Sequence, residues 1–404
     1  MSTERQVNTV SRRQFVETLT LTAAMAVTPA LVAAAEQAAA GPTSRPAEPL
    51  PTRPLGKTGA AVTALTMGGS TELTPRLLDY AYSQGVRCFD TAASYANGRS
   101  EQAIGEWLAQ TSRRKEVFLI TKNGVKQPKE LLTAVDSRLK NLRTDTIDMY
   151  FLHGLGGTAG VQQAKSPETR QVAEQLKKSG KIRFFGFSCH SANAPDCLLA
   201  AAEGGFVDAI MLAYSPVTGK GRDEKLDRAL DACHKAGVGL IAMKTMRGMA
   251  RAVDTQAASG LNVHQAAIQA VLSDDRIATV CSEMSNFTHV EQNTQAVRRF
   301  RQPLEQAQID RLRDVLLAAG LTFCPGCPAC RQGILGRNPR SQDILRYLSY
   351  YEQDGKRSLA RRKYRALPAE ARNMDGEDLV AARDACLFAV DYPGLLARAS
   401  RLLA

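Results

Sequence analysis

Short apolar runs alternate with amphipathic segments along most of the chain. The apolar runs predict strands at 62–69, 86–90, 117–121, 147–152, 182–187, 208–213, 238–243 and 277–282. The segments between them place apolar residues three and four positions apart, which predicts helices at 74–85, 100–108, 129–142, 166–180, 194–204, 223–237, 263–272, 290–300 and 303–319. We therefore predict an α/β protein whose parallel strands close into a TIM (β/α)8 barrel, an architecture that needs roughly 250 residues.

An open, doubly wound sheet is the alternative arrangement for the same alternation of strands and helices. Such sheets bind dinucleotides through a G-x-G-x-x-G turn after the first strand. The sequence contains no G-x-G-x-x-G motif. The closed barrel is therefore the better interpretation of the pattern.

The segment before the barrel differs from it in composition. Arg12 and Arg13 are followed by Phe15 and an alanine-rich apolar stretch, and together they resemble a twin-arginine export signal. We expect residues 1–35 to be this signal peptide and the mature protein to be periplasmic, with a membrane-anchoring amphipathic helix as the alternative. Residues 36–52 predict a linker.

The barrel pattern itself occupies residues 53–320, and residues 321–404 predict a small, mostly helical C-terminal domain that contains cysteines. After the leader, no run is long and apolar enough for a stable membrane span. These three boundaries divide the sequence into a predicted signal, a linker, a barrel and a helical extension.

Composition narrows the function classes without deciding between them. Of 404 residues, 44% are hydrophobic and 23% are charged, which is ordinary for a globular protein. The net charge of +12 fits either acidic ligands or a solvated basic surface. Because no basic-aromatic repeat or nucleic-acid motif is present, we expect no nucleic-acid partner.

Polar side chains stand at the ends of neighbouring predicted strands. Asp90 ends one strand and Tyr95 follows in the turn, Lys122 ends the next strand, and His153 ends the one after. In parallel barrels, chemistry takes place where the carboxyl ends of the strands meet. A lysine beside a phenol lowers the phenol's pKa, an aspartate holds the lysine, and a histidine can orient a carbonyl. Singly, each residue also has a purely structural explanation.

Together with their surroundings, these residues resemble the aldo-keto reductases. The motifs that carry the resemblance are FDTAASY at 89–95, SEQAIGEWL at 100–108, ITK at 120–122, YFLH at 150–153, GFSCH at 186–190 and LSDDRIATVCSEMSNFTHVEQN at 272–293. The resemblance implies a barrel in which Tyr95 is the general acid/base, Lys122 and Asp90 tune it, and His153 positions the substrate.

The same resemblance implies a nicotinamide cofactor, NADP(H) or NAD(H), and a small carbonyl or alcohol substrate. The positions that match the family's cofactor site are Ser188, His190, Lys244, Ser285, Gln292 and Asn293. The chain departs from the family pattern at Met211, at Ser215 and at Glu283 in the phosphate-side turn.

Three of the nine cysteines are clustered as C-x2-C-x2-C at Cys324, Cys327 and Cys330. Thiolates at this spacing can each bind one corner of an iron–sulfur cluster. Zinc is the alternative, although it would require a second cysteine or histidine pair. A third interpretation is that no metal binds and the segment is a structural lid.

The tail also resembles the ferredoxin-like extension of some exported aldo-keto reductases. Ile334 stands where the first cysteine run should have its fourth member, and Cys386 is what remains of the second run. In such extensions the fourth cysteine of one run ligates the other cluster. The resemblance therefore implies one [4Fe–4S] cluster held by Cys324, Cys327, Cys330 and Cys386.

The basic segment at 356–365 between the cysteines either docks an acidic redox partner or forms a solvated helix face. Taken as a whole, the sequence predicts an exported oxidoreductase that moves hydride between a nicotinamide and a carbonyl or alcohol, with coupling to the cluster. A non-catalytic or electron-transfer protein on a reductase barrel is the first alternative. A sugar hydrolase is a weaker one, because it requires paired carboxylates at the strand ends.

Overall fold

The structure is a computed structural model that describes residues 47–125, 127–191, 193–217, 223–246, 260–318, 341–352, 355–372, 376–386 and 390–404. The expected signal peptide at 1–35, residues 36–46 of the expected linker, and Cys324, Cys327 and Cys330 lie outside the described residues. A short hairpin precedes the barrel: β1 (Thr52–Pro54) pairs antiparallel with β2 (Ala61–Thr63).

Eight parallel strands close into a barrel, which confirms the predicted fold class. They are β3 (Leu65–Gly68), β4 (Cys88–Asp90), β5 (Phe118–Asn123), β6 (Ile147–Leu155), β7 (Ile182–Cys189), β8 (Ala209–Ala213), β9 (Gly239–Met243) and β10 (Ile277–Glu283). The barrel closes where β10 pairs with β3, with Val280 beside Leu65. The run predicted as one first strand at 62–69 is divided between β2 and β3, and β6 extends three residues beyond its predicted end.

Helices connect successive strands and cover the outside of the barrel. They are α1 (Pro75–Ser83), α2 (Arg99–Thr111), α3 (Leu131–Leu142), α4 (Gly157–Gln163), α5 (Pro167–Lys178), α6 (Ala194–Gly204), α7 (Glu224–Lys235), α8 (Val263–Leu272), α9 (Phe287–Arg299) and α10 (Gln306–Ala318). Several begin after a polar residue whose side chain caps the helix. The side chains of Thr74, Ser166 and Asp223 accept hydrogen bonds from backbone N–H groups of α1, α5 and α7.

Alternate residues of each strand face opposite sides of the barrel wall. Cys88, Ile120, Phe151 and Met211 belong to the cluster inside the barrel. Their sequence neighbours belong to the larger cluster between the strands and the helices, for example Phe89. The parity that places Cys88 and Ile120 inside also turns the next even-numbered residues, Asp90 and Lys122, toward the interior at the carboxyl end of the barrel.

Five helices form the described part of the C-terminal extension: α11 (Ser341–Glu352), α12 (Arg357–Arg365), α13 (Ala369–Arg372), α14 (Gly376–Asp384) and α15 (Tyr392–Leu403). They share an apolar cluster with α8 and α10, in which Ala267 and Leu316 meet Leu345 and Tyr392. The chain between 341 and 365 forms the two helices α11 and α12, and Gly355 with φ 67° lies between them.

None of the helices in the described part of the chain combines the length and apolar character that crossing a membrane requires.

Candidate active site

A buried ion pair lies at the carboxyl end of the barrel. The Lys122 Nζ donates to Asp90 Oδ1 at 2.6 Å, to Asp90 Oδ2 at 2.8 Å and to the backbone oxygen of Thr91 at 2.7 Å. The Lys122 side chain is 0% exposed and that of Asp90 is 3% exposed. A buried charge is stable when it has an oppositely charged partner and its polar groups are hydrogen-bonded. Here each of the three ammonium protons of Lys122 has an acceptor.

Tyr95 joins this pair from the turn that follows β4. The Lys122 Nζ lies 4.7 Å from the centre of the Tyr95 ring. The His153 ring meets the Tyr95 ring edge-on, with centroids 5.6 Å apart and an interplanar angle of 88°. The structure thus brings together the four residues that the sequence nominated, Asp90, Tyr95, Lys122 and His153.

An unusual backbone turn holds the Tyr95 side chain in place. The Tyr95 N–H donates to the Ala92 oxygen, and the three residues that follow have positive φ angles: Ala96 at 47°, Asn97 at 56° and Gly98 at 86°. Left-handed backbone is tolerated by Gly and Asn but costs energy for Ala. The turn is therefore strained at Ala96, immediately beside Tyr95.

Burial outweighs the expected effect of the lysine on the phenol. Burial raises the pKa of Tyr95, and the Lys122 charge opposes the rise without cancelling it. Lys122 therefore acts on the Tyr95 pKa in the predicted direction, but the net shift is upward. The physical reason is that desolvation disfavours the phenolate more than one ammonium favours it.

Lys122 and His153 are held in opposite protonation states. Burial lowers the pKa of Lys122, but Asp90 and Tyr95 together raise it above its ordinary value, so the amine stays charged. Burial and the charges of Lys122, His190 and Lys244 lower the pKa of His153 to about 4. At neutral pH the imidazole is therefore uncharged and can donate or accept one hydrogen bond.

One member of the cluster was not nominated from the sequence. Cys281 on β10 has its sulfur 3.7 Å from Asp90 Oδ2 and is placed to donate its S–H to that oxygen. The signal that could have found it is positional, because Cys281 lies near the end of the last strand, which closes on β3.

Three of the predicted cofactor residues lie around the same mouth. The Ser188 hydroxyl on β7 is buried and accepts a hydrogen bond from Gly154 N at 2.9 Å, beside His153. His190 directly follows β7, and Lys244 directly follows β9 with φ 57°; both are exposed. Because His190 and Lys244 both lower the pKa of His153, their charges act at the mouth of the barrel.

The other three predicted cofactor residues lie at the corner between β10 and α9. Ser285 is exposed and its hydroxyl is 3.2 Å from His289 Nδ1. Asn293 is buried and donates to Ser282 Oγ at 3.0 Å. Gln292 is half-buried and its backbone oxygen accepts from Gln265 Nε2 at 2.8 Å. Ser285 is thus the member of this group that is open to a ligand.

Of the positions that depart from the family pattern, Met211 is buried and Glu283 is exposed. Met211 is buried inside the barrel, where it fills space. Glu283 is exposed at the end of β10 and accepts a hydrogen bond from the Ser70 hydroxyl, so a carboxylate lies next to the corner that contains Ser285.

Of the four predicted cluster ligands, only Cys386 lies within the described residues. Its thiol is buried, and its sulfur accepts a hydrogen bond from Val390 N at 3.4 Å. Among the described residues there is no group of three or more His, Cys, Asp and Glu side chains that could hold a metal ion.

The sequence of the barrel is similar to sequences of known proteins. Residues 65–259 match the aldo/keto reductase family. The aldo-keto reductase yakc of Schizosaccharomyces pombe, whose name specifies NADP(+), is 32% identical over 187 residues, which cover 41% of this chain and 53% of that protein. The chain thus spans about half the length of this relative.

Solved structures resemble a larger part of the chain. The holo form of aldo-keto reductase AKR11C1 from Bacillus halodurans is 25% identical with a TM-score of 0.54, covering 66% of this chain and 96% of that one. A Klebsiella pneumoniae aldo/keto reductase in complex with NADP and acetate is 25% identical with a TM-score of 0.52, covering 64% and 94%. The barrel of this chain is therefore similar, in sequence and in fold, to the aldo/keto reductases.

Proposed function

We propose that the protein is an oxidoreductase that moves hydride between a nicotinamide cofactor, NADP(H) or NAD(H), and a small carbonyl or alcohol substrate. The observation that carries the proposal is the Lys122 ammonium, which contacts the face of Tyr95 while both oxygens of Asp90 hold it. A phenol next to a fixed cation is equipped to give up a proton and take it back.

Tyr95 is the proton donor in the direction of carbonyl reduction. As the carbonyl carbon receives hydride, its oxygen becomes an alkoxide and takes the phenol proton. The phenolate left behind lies beside the Lys122 ammonium, which stabilises it, and Asp90 keeps that ammonium charged and in place. The neutral His153 can donate one N–H to the same carbonyl oxygen and so orient it. In alcohol oxidation each proton movement is reversed.

The described residues fit a nicotinamide dinucleotide, which supplies the hydride when it is bound. Lys244 provides an exposed cation at the mouth, and Ser188 provides a buried hydroxyl there. At the β10 corner, the exposed Ser285 lies just before α9, a helix of 13 residues whose first N–H groups favour an anion. The named cofactor of the yeast relative and the nucleotide in the Klebsiella structure support the same assignment.

The experiment is a nucleotide titration followed by turnover. Reduced nicotinamide fluorescence measures binding of NADPH and of NADH, and absorbance measures their oxidation with a panel of small aldehydes and ketones. We expect Tyr95→Phe to bind nucleotide like the native protein and to lose activity by about 10²–10⁴-fold. The matched control is Tyr80→Phe, which removes the hydroxyl of a half-buried tyrosine that donates to Glu291.

Two outcomes would contradict this proposal in different ways. Nucleotide binding without turnover of any carbonyl would favour the electron-transfer alternative. Absence of nucleotide binding by the folded protein would remove the oxidoreductase assignment itself.

We propose, as a second cofactor, one [4Fe–4S] cluster ligated by Cys324, Cys327, Cys330 and Cys386. The C-x2-C-x2-C spacing supports it. Cys386, whose buried sulfur accepts a hydrogen bond from a backbone N–H, is the fourth ligand that the resemblance to ferredoxin-like extensions implies. The cluster would supply one-electron transfer, and the exposed basic face of α12, which includes Arg362 and Lys363, would dock an acidic redox partner.

Anaerobic purification followed by iron, sulfide and zinc analysis tests the cluster. The native protein should contain iron and sulfide. Their content should be lower in Cys386→Ser and unchanged in Cys233→Ser, which removes another buried thiol. Zinc in place of iron, or no metal in a folded protein, would contradict the cluster.

We also propose export to the periplasm by the twin-arginine route, on the basis of Arg12 and Arg13. Replacing both with lysine should retain the protein in the cytoplasm with its leader still attached. Unchanged periplasmic accumulation of that variant would contradict the route.

A further inference from the structure

The Asp90 carboxylate has a second hydrogen-bond donor besides Lys122, and this donor comes from the last strand of the barrel. The Cys281 sulfur on β10 lies 3.7 Å from Asp90 Oδ2, and its S–H is the donor because a carboxylate only accepts. The same oxygen accepts from Lys122 Nζ at 2.8 Å. The carboxylate on β4 is therefore bonded from both sides, by Lys122 of β5 and by Cys281 of β10.

Cys281 reaches Asp90 across the intervening strand β3. The strands lie in the order β10, β3, β4, with Cys281 beside Thr66 and Gly68 beside Asp90. Neighbours in register on parallel strands face the same side of a sheet, so these four positions all face the barrel interior. Because Gly68 has no side chain, β3 does not separate the thiol from the carboxylate. The contact therefore depends on the closure of β10 on β3.

We propose that Cys281 is a positioning residue for the proton transfer at Tyr95, in which its S–H fixes the Asp90 carboxylate and so keeps the Lys122 ammonium against the phenol. The inference rests on the proposed function, because it concerns the same reaction. Cys281 acts through two intermediaries, since Asp90 holds Lys122 at 2.6 and 2.8 Å and Lys122 lies 4.7 Å from the centre of the Tyr95 ring.

The thiol has its largest effect once Tyr95 has given up its proton. Before the transfer, the buried charges of Lys122 and Asp90 balance each other. After the transfer, the phenolate leaves this buried group with one negative charge in excess. A donor directed at the carboxylate offsets part of that excess, and a hydrogen bond of this kind is stronger inside a protein than in water. Removing the donor should therefore slow the proton transfer.

Cys281 serves as a donor because its thiol keeps its proton. Burial raises the pKa of Cys281 well above its ordinary value, and the nearby Asp90 charge adds to the rise, which Lys122 opposes. Burial also raises the pKa of Asp90, while Lys122 and the Cys281 hydrogen bond oppose that rise. Burial raises the pKa values of Tyr95 and Cys88, the other titratable groups near this carboxylate, so both stay uncharged. Loss of the S–H should therefore make Asp90 easier to protonate.

The first measurement is the pH dependence of kcat for carbonyl reduction. Cys281→Ala removes the donor, and Cys281→Ser replaces it with a hydroxyl, which is a stronger donor than a thiol. In Cys281→Ala we expect the acid limb of the profile to move up by about 0.5–1 pH unit and the plateau to fall about two- to tenfold. The Kd for nucleotide should not change, and Cys281→Ser should restore both the limb and the plateau.

The control is Cys88→Ala, which removes a sulfur from the same interior cluster and leaves the donors to Asp90 in place. It should change neither the acid limb nor the plateau. A Cys281→Ala profile that coincides with that of Cys88→Ala would overturn the positioning role. A Cys281→Ser variant that behaves like Cys281→Ala would also overturn it, because lost packing and not a lost donor would then explain the effect.

The second measurement requires no turnover. The infrared difference spectrum between the native protein and Cys281→Ala isolates the S–H stretching band of this thiol from those of the other cysteines. We expect the band at a lower frequency than that of a free alkyl thiol in an apolar solvent, since hydrogen bonding weakens the S–H bond. A band at the free frequency would overturn the contact with Asp90. Failure of the native protein to bind nucleotide would overturn the proposed function instead, and the infrared result would stand.

Discussion

The Lys122 ammonium lies 4.7 Å from the centre of the Tyr95 ring and is fully buried there. A buried cation requires an anionic partner within the same buried site. Asp90 is that partner, and both of its carboxylate oxygens accept from Lys122. The proposed role of Tyr95 and the stability of the barrel mouth therefore depend on the same ion pair. Mutation of the ion pair can therefore separate its effect on turnover from its effect on stability.

Replacing Lys122 with Met should abolish turnover and destabilise the protein by about 3–5 kcal/mol, because it leaves the Asp90 carboxylate buried without its cation. The double variant Asp90→Asn with Lys122→Met should recover most of that stability, since no buried charge remains, and should stay inactive. Chemical unfolding and turnover with a carbonyl substrate measure the two effects. If the double variant were as unstable as the single one, the ion pair would not be what the single variant lost.

The lowered pKa of His153 predicts how stability depends on pH. The pKa of His153 is about 4 in the folded protein and 6.5 is its ordinary value, so between these values the unfolded chain binds a proton that the folded chain does not. Stability is therefore lost as the pH falls from 6.5 toward 4, with a slope of up to about 1.4 kcal/mol per pH unit.

His153→Gln should flatten this part of the profile of unfolding free energy against pH. The difference between the two profiles isolates the histidine from the carboxyl groups that also titrate there. Parallel profiles for native protein and His153→Gln would show that the imidazole is not desolvated.

Strand periodicity was sufficient to predict the barrel and to place Asp90, Lys122 and His153 on neighbouring strands, because parity and strand order are properties of the sequence itself. The pKa of Tyr95 was not predictable in this way. It depends on how completely the turn after β4 is buried, and that is decided by residues distant in sequence. Cys281 was missed for the same reason, since it reaches Asp90 only when the barrel closes.

Helix boundaries in the extension show a different limit. The segment at 343–367 has a continuous helical pattern, and only Gly355 interrupts it. A single glycine in a helical pattern can be tolerated or can end the helix, and the local sequence does not decide between these outcomes. Here Leu345 of α11 and Tyr364 of α12 both belong to the apolar cluster that the extension shares with α8 and α10. The chain therefore has to turn between the two helices.

The turn after Tyr95 predicts a gain in stability from a glycine. Ala96 has φ 47°, in the left-handed region that disfavours a side chain. Ala96→Gly should stabilise the protein by about 0.5–1 kcal/mol, the relief of strain less the added freedom of the unfolded chain. Ala93→Gly, outside the left-handed turn, should lower stability instead. Thermal unfolding measures both, and a destabilised Ala96→Gly would show that the turn is not strained.

At Gly186 on β7 we expect a larger side chain to destabilise the protein. A Cβ atom at this position would lie 1.9 Å from the backbone oxygen of Ala209 on β8 and 2.9 Å from the Phe151 ring. A backbone oxygen in a closed barrel cannot move aside without breaking the pairing of β7 with β8. Gly186→Ala should therefore destabilise the protein by more than about 3 kcal/mol or prevent folding, as overpacking of a rigid core does.

Gly124→Ala is the matched control for this substitution. Gly124 directly follows β5, has no neighbour within 4 Å of the added Cβ and does not have a positive φ angle. The substitution should be neutral or stabilising by about 0.4–1 kcal/mol, because alanine restricts the unfolded chain. The yield of soluble protein and the unfolding midpoint distinguish the two variants. A Gly186→Ala variant as stable as Gly124→Ala would mean that β7 and β8 are farther apart than the barrel geometry places them.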